Sequence, residues 1–414
     1  MNYFFQTLMV LLFINVHSQD KYYKVNISDG KGYLSTMNQS NDLMLNALRI
    51  IGEEINYNNL SHKEKLIYFA AGLTFTGFLG QAITHEEGHR SVLTELGIGS
   101  VSKPFFDKNL VAKVAGVTNA SLINLRDNDF PNYIRLHTAG LESDYSYLKK
   151  TDAILNFNEE EKQILFPDYL MRKLGVEFYF LSYLFPSSDD IKELDETELK
   201  RDVVGHDLFG MIRHLHRPTM EFYRYTNSKD LTTDEKSYAK RMGYLSLLNF
   251  INPNLWMSEG YEISDNLKVN YSVNYSLAPF GDFVEQNAYL EISKRYKINP
   301  YFRQYFNKSN TFFAGGVNFH NYTFHDNKLL LNSSIDFWNQ PKNLDFRSNE
   351  NNFGFGLKSE IAMRFARWDQ QNKSAYFNIG VSYKSAGFIP EAPSLKEDFR
   401  IHLGFVLNVK NNIK

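Results

Sequence analysis

Eight segments after Trp256 alternate apolar and polar side chains with a period of two. Leu267, Val269, Tyr271, Val273, Tyr275 and Leu277 are interleaved with Lys268, Asn270, Ser272, Asn274 and Ser276. Phe353, Phe355, Leu357, Ile361, Met363 and Phe365 are interleaved with Gly354, Gly356, Lys358, Glu360 and Arg364. The same pattern runs through Phe377–Tyr383 and Ile401–Val409, and more weakly through 286–296, 299–307, 311–324 and 328–338. Period two places alternate residues on opposite faces of a strand. Turn residues such as Asn307-Lys308-Ser309-Asn310 and Asp326-Asn327 separate the runs. These segments read as about eight strands, each with one apolar and one polar face. Period alone leaves open which face points outward.

Residues before Trp256 read as helical. Asp42 to Tyr57 carries Leu43, Ala47, Ile50, Ile51 and Ile55 at helical spacing. Ser61-His62-Lys63-Glu64 is a capping box that starts a second helix. Leu66 to Thr84 then runs nineteen residues without a charge. That length suits a bilayer span, and a buried helix of a metal-binding domain also fits. Leu110 to Leu125 reads as a strand or a strand pair, and His137 opens a further helix. Glu159 to Lys162 reads as a solvated helix start. Tyr169 to Phe185 and Asp202 to Leu215 are apolar helices, and Asp189 to Arg201 is an acidic linker. Thr232 or Thr233 caps a last helix that reaches Ile251.

The uncharged run flows into His85-Glu86-Glu87-Gly88-His89. Two histidines at i and i+4 share one helix face and can reach one metal ion, and the intervening Glu86 can take a proton from water. Gly97 then stops the helix. The third ligand is open between two carboxylates, Asp207 and Glu142. Asp144 is placed to orient a histidine from behind. His137, His206, His214 and His216 are further candidates. The chain has no cysteine, so disulfides and cysteine-based zinc sites are excluded. A net charge of −2 argues against nucleic acid as a partner. Residues 1–18 read as an export signal, with an apolar run from Phe4 to Val16 and small residues before Gln19.

His85 to Ile98 resembles the site-two-protease type of metallopeptidase, in which an apolar helix ends in H-E-x-G-H. That resemblance covers about residues 65 to 215. It implies that Ala139-Gly140 matches a small-residue segment and that Asp207, in Gly205-His206-Asp207-Leu208, is the distant third ligand. The gluzincin type instead takes a glutamate on a second helix, which Glu142 would supply. The C-terminal segments resemble a small outer-membrane β-barrel, as does the aromatic content of 15 %. Ser385 to Pro390 looks like the last long loop of such a barrel.

The expected architecture is α+β and multidomain. An extended segment over 19–41 precedes a helical zinc metallopeptidase-like domain over 42–255, followed over 256–414 by an antiparallel β-barrel of about eight strands. The expected function is a Zn2+-dependent hydrolase of the bacterial cell envelope, acting on a protein or peptide and associated with a membrane, the outer membrane being favoured. A second reading is an outer-membrane barrel of structural or transport type with a non-catalytic metal-binding domain. A third is a soluble periplasmic β domain anchored by the uncharged helix in the inner membrane.

Overall fold

A computed structural model describes residues 20–28, 36–105, 112–184, 197–325, 327–368 and 372–409. The export-signal reading over 1–18 and most of the acidic linker lie outside these residues. The chain is α+β, with helices in its first part and a large antiparallel sheet in its second. After strand β1 (Lys21–Ser28) come helices α1 (Met37–Glu54), α2 (His62–Phe75) and α3 (Gln81–Glu95). A short hairpin, β2 (Val101–Lys103) and β3 (Lys113–Ala115), leads to α4 (Asn119–Asn128), α5 (Phe130–Asn156), α6 (Lys162–Leu181), α7 (Asp207–His216) and α8 (Thr233–Ser246). The strands that follow are β4 (Tyr261–Ser264), β5 (Leu267–Ala278), β6 (Gly281–Ile292), β7 (Tyr296–Phe306), β8 (Thr311–Phe324), β9 (Leu329–Pro341), β10 (Asn351–Trp368), β11 (Lys373–Lys384) and β12 (Asp398–Val409).

The expected eight-stranded closed barrel is corrected to an open sheet of ten strands, in the order β1-β12-β11-β10-β9-β8-β7-β6-β5-β4. Neighbours β4 to β12 are consecutive hairpins. The tenth strand comes from the segment read only as extended: Lys21 pairs with Val409 and Val25 with Phe405. The edges β1 and β4 do not pair with each other. Helix α1 lies along β1 and turns its side chains to the strand's free carbonyls. Arg49 Nη1 donates to Tyr22 O at 2.7 Å, Asn46 Nδ2 to Lys24 O at 2.6 Å and Gln39 Nε2 to Ile27 O at 2.5 Å. These side chains take the place of a neighbouring strand at three carbonyls of the edge.

The sheet has the inverted sense. Its inner face carries buried Asn270, Ser272 and Asn274 on β5, Glu285 and Asn287 on β6, Arg303 on β7 and Glu360 on β10. Helix α5 sits against that face and is buried over nearly its whole length. Polar side chains join them: Lys149 reaches Glu285 at 3.2 Å, Glu285 pairs with Arg303, and Lys297 meets Glu159 at 2.9 Å. The apolar residues of the alternation, such as Phe355, Leu357, Ile379 and Ile401, point outward and are exposed.

Several local readings change with packing. The Glu159–Lys162 cluster is buried: Glu159 meets Lys297, Glu160 meets Lys21 and Arg49, and Lys162 donates to Ser258 O. Helix α5 starts at Phe130, with Pro131 in its first turn, seven residues before His137. The 110–125 stretch holds only β3 and the start of α4. The capping box is formed as expected: Ser61 accepts from the Glu64 amide while the Glu64 carboxylate accepts from Ser61 N. Such caps contribute about 1 kcal/mol.

Candidate metal centre

Helices α2 and α3 run on as one 34-residue helix, His62–Glu95, interrupted by a π-helical segment at Thr76–Gly80. Wide turns of this kind re-aim the residues after them. Helix α3 then crosses α5 at backbone contact. A Cβ on Gly88 would stand 2.1 Å from Ala139 O, and one on Gly140 2.2 Å from His85 Nε2. Only glycine at both positions lets the two helices approach and leaves the imidazole its place. The Ala139-Gly140 segment is thus the surface on which the motif helix lies.

His85 Nδ1 lies 2.9 Å from Asp144 Oδ2, and His89 Nδ1 lies 2.7 Å from Leu136 O. Both partners are acceptors, so each Nδ1 carries a proton and each ring turns its Nε2 the other way. Both Nε2 atoms meet the same atom. Asp207 Oδ2 lies 3.2 Å from His85 Nε2 and 3.3 Å from His89 Nε2. Burial opposes charge on either ring, but Asp144 and Asp207 outweigh it at His85 and Asp207 holds His89 up to about 9, so a positive charge among the three groups is favoured. His85, His89 and Asp207 can hold a metal ion, their donor atoms all lying within 4.8 Å of one another. Glu86 is buried beside them and senses the charges of His85, His89, Asp202 and Asp207.

Asp207 is held by its own surroundings. It is the first residue of α7, and its backbone N–H donates to the Tyr179 hydroxyl at 3.1 Å. Burial alone would raise its pKa; the imidazoles of His89 and His85 outweigh this and hold the carboxyl below the ordinary range. The loop before it is tied by Asp202, which accepts from the N–H groups of Val203, Gly205 and Val114 at 2.8, 3.1 and 3.2 Å. Gly205 takes φ +70 there, a left-handed conformation that favours glycine. Burial pushes the Asp202 carboxyl up to about 6, the neighbouring His89 opposing the rise.

Behind His85 stands a buried charged chain. Asp144 also accepts from Gln81 Nε2 at 3.3 Å and lies 3.6 Å from Arg172. Arg172, fully buried on α6, in turn meets Asp168 at 3.1 Å, Thr84 Oγ1 at 2.7 Å and Gly80 O at 3.0 Å. One guanidinium therefore ties α6 to the π segment and to the carboxylate that orients the first histidine. Loss of an orienting partner of this kind lowers metal affinity by about 10–100-fold. Asp144→Asn is expected to weaken metal binding within that range while the helical circular dichroism stays unchanged. Competition with a chromophoric chelator reads the affinity, and unaltered binding contradicts the orienting role.

Glu142 does not join the cluster. It faces Arg135, which donates to its two oxygens at 2.7 and 3.0 Å, and it accepts from Glu391 N at 3.2 Å. Arg135 also donates to Ala392 O and Pro393 O. The β11–β12 loop, read as the last long loop of a barrel, folds inward onto α5, with Phe388 fully buried. His137 and His214 lie together behind the centre, their rings 5.5 Å apart, and Tyr133 Oη is 3.0 Å from His214 Nε2. His206 caps α7 and His216 bonds back to Ile212 O. Sequence reasoning missed Arg172, Tyr179 and the Leu136 carbonyl. The first lies in a helix read only as apolar, and a backbone acceptor leaves no trace in sequence. No family model matches the chain, nor does any curated protein or solved structure.

Proposed function

We propose that the chain is a zinc-dependent metallopeptidase of the cell envelope, related in its working parts to the site-two-protease type. The observation that carries this reading is Asp207 Oδ2 at 3.2 and 3.3 Å from two histidine Nε2 atoms whose Nδ1 atoms are already engaged. Tetrahedral bonds of about 2.05 Å to zinc separate neighbouring donors by about 3.3 Å. Two nitrogens and one carboxylate oxygen, with a fourth position left over, are the donor set of a catalytic rather than a structural zinc site.

When bound, zinc supplies Lewis acidity, polarising a carbonyl and lowering the pKa of water. The chain's own residues do the rest. His85 and His89 hold their rings through Asp144 and Leu136 O. Glu86, next to His85, takes the proton of the attacking water and passes it to the departing amine. Its burial keeps that carboxylate away from bulk solvent. The substrate class is an unfolded protein or peptide, since the reaction needs only an accessible amide carbonyl.

The test is hydrolysis of a fluorescently quenched unfolded protein by the full chain in detergent. Activity is expected to disappear with a chelator and to return with Zn2+. Chelator-resistant cleavage, or stoichiometric zinc with no cleavage, overturns the reading; the latter describes a metal-binding envelope protein without catalysis.

A further inference from the structure

The exposed apolar residues are not confined to the sheet. On the helical side, Leu43 and Ile51 of α1, Ile67 and Phe78 of the long helix, Phe178 of α6 and Trp256 after α8 are all exposed, Phe78 and Trp256 at 64 % and 63 %. Only 17 % of the most apolar stretch of His62–Glu95 is buried. These helices occupy the gap between the two sheet edges. Helix α1 lies on β1, α2 packs on α6, α6 on α8, and the turns after α8 pack on β5.

We infer that the outer face of the sheet and the outer faces of α1, α2–α3, α6 and the segment after α8 form one continuous surface for lipid acyl chains, with the helices closing what the open sheet leaves open. The inference does not depend on the hydrolase reading.

Three observations carry it. First, the sheet is inside out: from β7 to β12 its outward positions carry one charged residue, Lys373 at the start of β11. Its charges sit inside, where a cavity of about 370 Å³ lies between α1, α5 and the inner face, with Lys24, Asp42, Arg303 and Asp336 among its lining residues. Second, the exposed apolar residues are spread over both sides of the molecule: Phe353, Phe365, Ile379 and Phe405 on the sheet and Ile67, Phe78, Phe178 and Trp256 on the helical side, so a partner that covers the sheet alone leaves the helical side bare. Third, a bilayer penalises unpaired backbone groups, and at the β1 edge the carbonyls of Tyr22, Lys24 and Ile27 are paired without barrel closure. Arg49, Asn46 and Gln39 supply the donors a neighbouring strand would have given.

The chain's three tryptophans make the test direct. Trp368 is 46 % exposed on the sheet side, Trp256 63 % exposed on the helical side, and Trp338 3 % exposed on the inner face. The full chain is inserted into phosphatidylcholine vesicles with acyl chains brominated at mid-length. Single-tryptophan versions carry Trp368, Trp256 or Trp338, and a fourth, Phe78→Trp, reports on the long helix with the three native tryptophans replaced by Phe. Emission from Trp368, Trp256 and the Phe78→Trp probe is expected to be lost to the bromines, while Trp338 keeps its emission. Quenching on the sheet side alone, or on the helical side alone, overturns a single lipid surface. No quenching anywhere, together with a concentration-dependent dimer, assigns the face to a second copy and overturns it as well. Should a variant fail to insert, the wild-type chain labelled by an acyl-chain-borne carbene in plain vesicles gives the same answer. Label is expected on peptides spanning 75–78 and 353–365 and not on 133–148, the buried stretch of α5, and label missing from either of the first two refutes the surface.

Discussion

Asp207→Ala should abolish stoichiometric zinc binding, whereas Glu142→Gln should leave it intact. The two carboxylates were equal candidates by residue type, since oxygen from either suits zinc. Geometry separates them. Asp207 Oδ2 is the one atom within 3.3 Å of both Nε2 atoms, while both Glu142 oxygens are engaged by Arg135. Loss of an orienting group costs about 10–100-fold in affinity, so loss of a direct ligand should exceed about 100-fold. Removing the charge of Glu142 has a different cost. Arg135 and Glu142 are 3 % and 1 % exposed at their side chains, and breaking a buried pair costs about 3–5 kcal/mol because one charge is left behind. Glu142→Gln keeps a hydrogen-bond acceptor for Arg135, so its melting temperature should fall without loss of the fold. Zinc per folded chain, measured by atomic absorption beside a thermal melt, distinguishes the two losses. A Glu142→Gln protein that melts normally and has lost its zinc reverses the assignment.

The site was legible where its chemistry is local or where order along the chain is enough. His85, Glu86 and His89 share one helix face, and Asp207 follows at the start of a helix with a short polar approach. What could not be read is what depends on distant partners. Nothing in the Arg135–Glu142 pair, two helical turns apart, shows that it brackets a loop some 250 residues further on. The Glu159–Lys162 charges look solvated because Lys21, Arg49 and Lys297 are remote in sequence. The strand alternation was visible, but not its sense, because period two is the same with either face outward. The sense is set by α5, whose Lys149 and Tyr145 require polar partners on the sheet's inner face. The open edge was equally hidden. Strand β1 pairs with β12 across more than 370 residues, and its other edge is satisfied by side chains of α1, a pairing that strand patterns do not encode.

Glu86→Gln should retain zinc at wild-type stoichiometry and lose hydrolysis. The substitution preserves the size of the side chain and removes its capacity to take a proton. General-base assistance contributes about 10²–10⁴-fold, so a loss in that range is expected in kcat, with KM little changed because Glu86 is not needed to hold the substrate. Its position makes the separation clean. Glu86 is buried beside the ligands yet is not among the three donors that can reach one ion. Nor does it brace either histidine: Asp144 and the Leu136 carbonyl do that. Burial pushes the Glu86 carboxyl up to about 8, so glutamine replaces a group already largely uncharged at neutral pH, and the fold should be no less stable than that of the parent. A Glu86→Gln protein that binds zinc and still cleaves at the parent rate would remove Glu86 from the mechanism and leave the metal without its base. If zinc is lost along with activity, Glu86 belongs to the ligand shell, and the donor set of His85, His89 and Asp207 is incomplete.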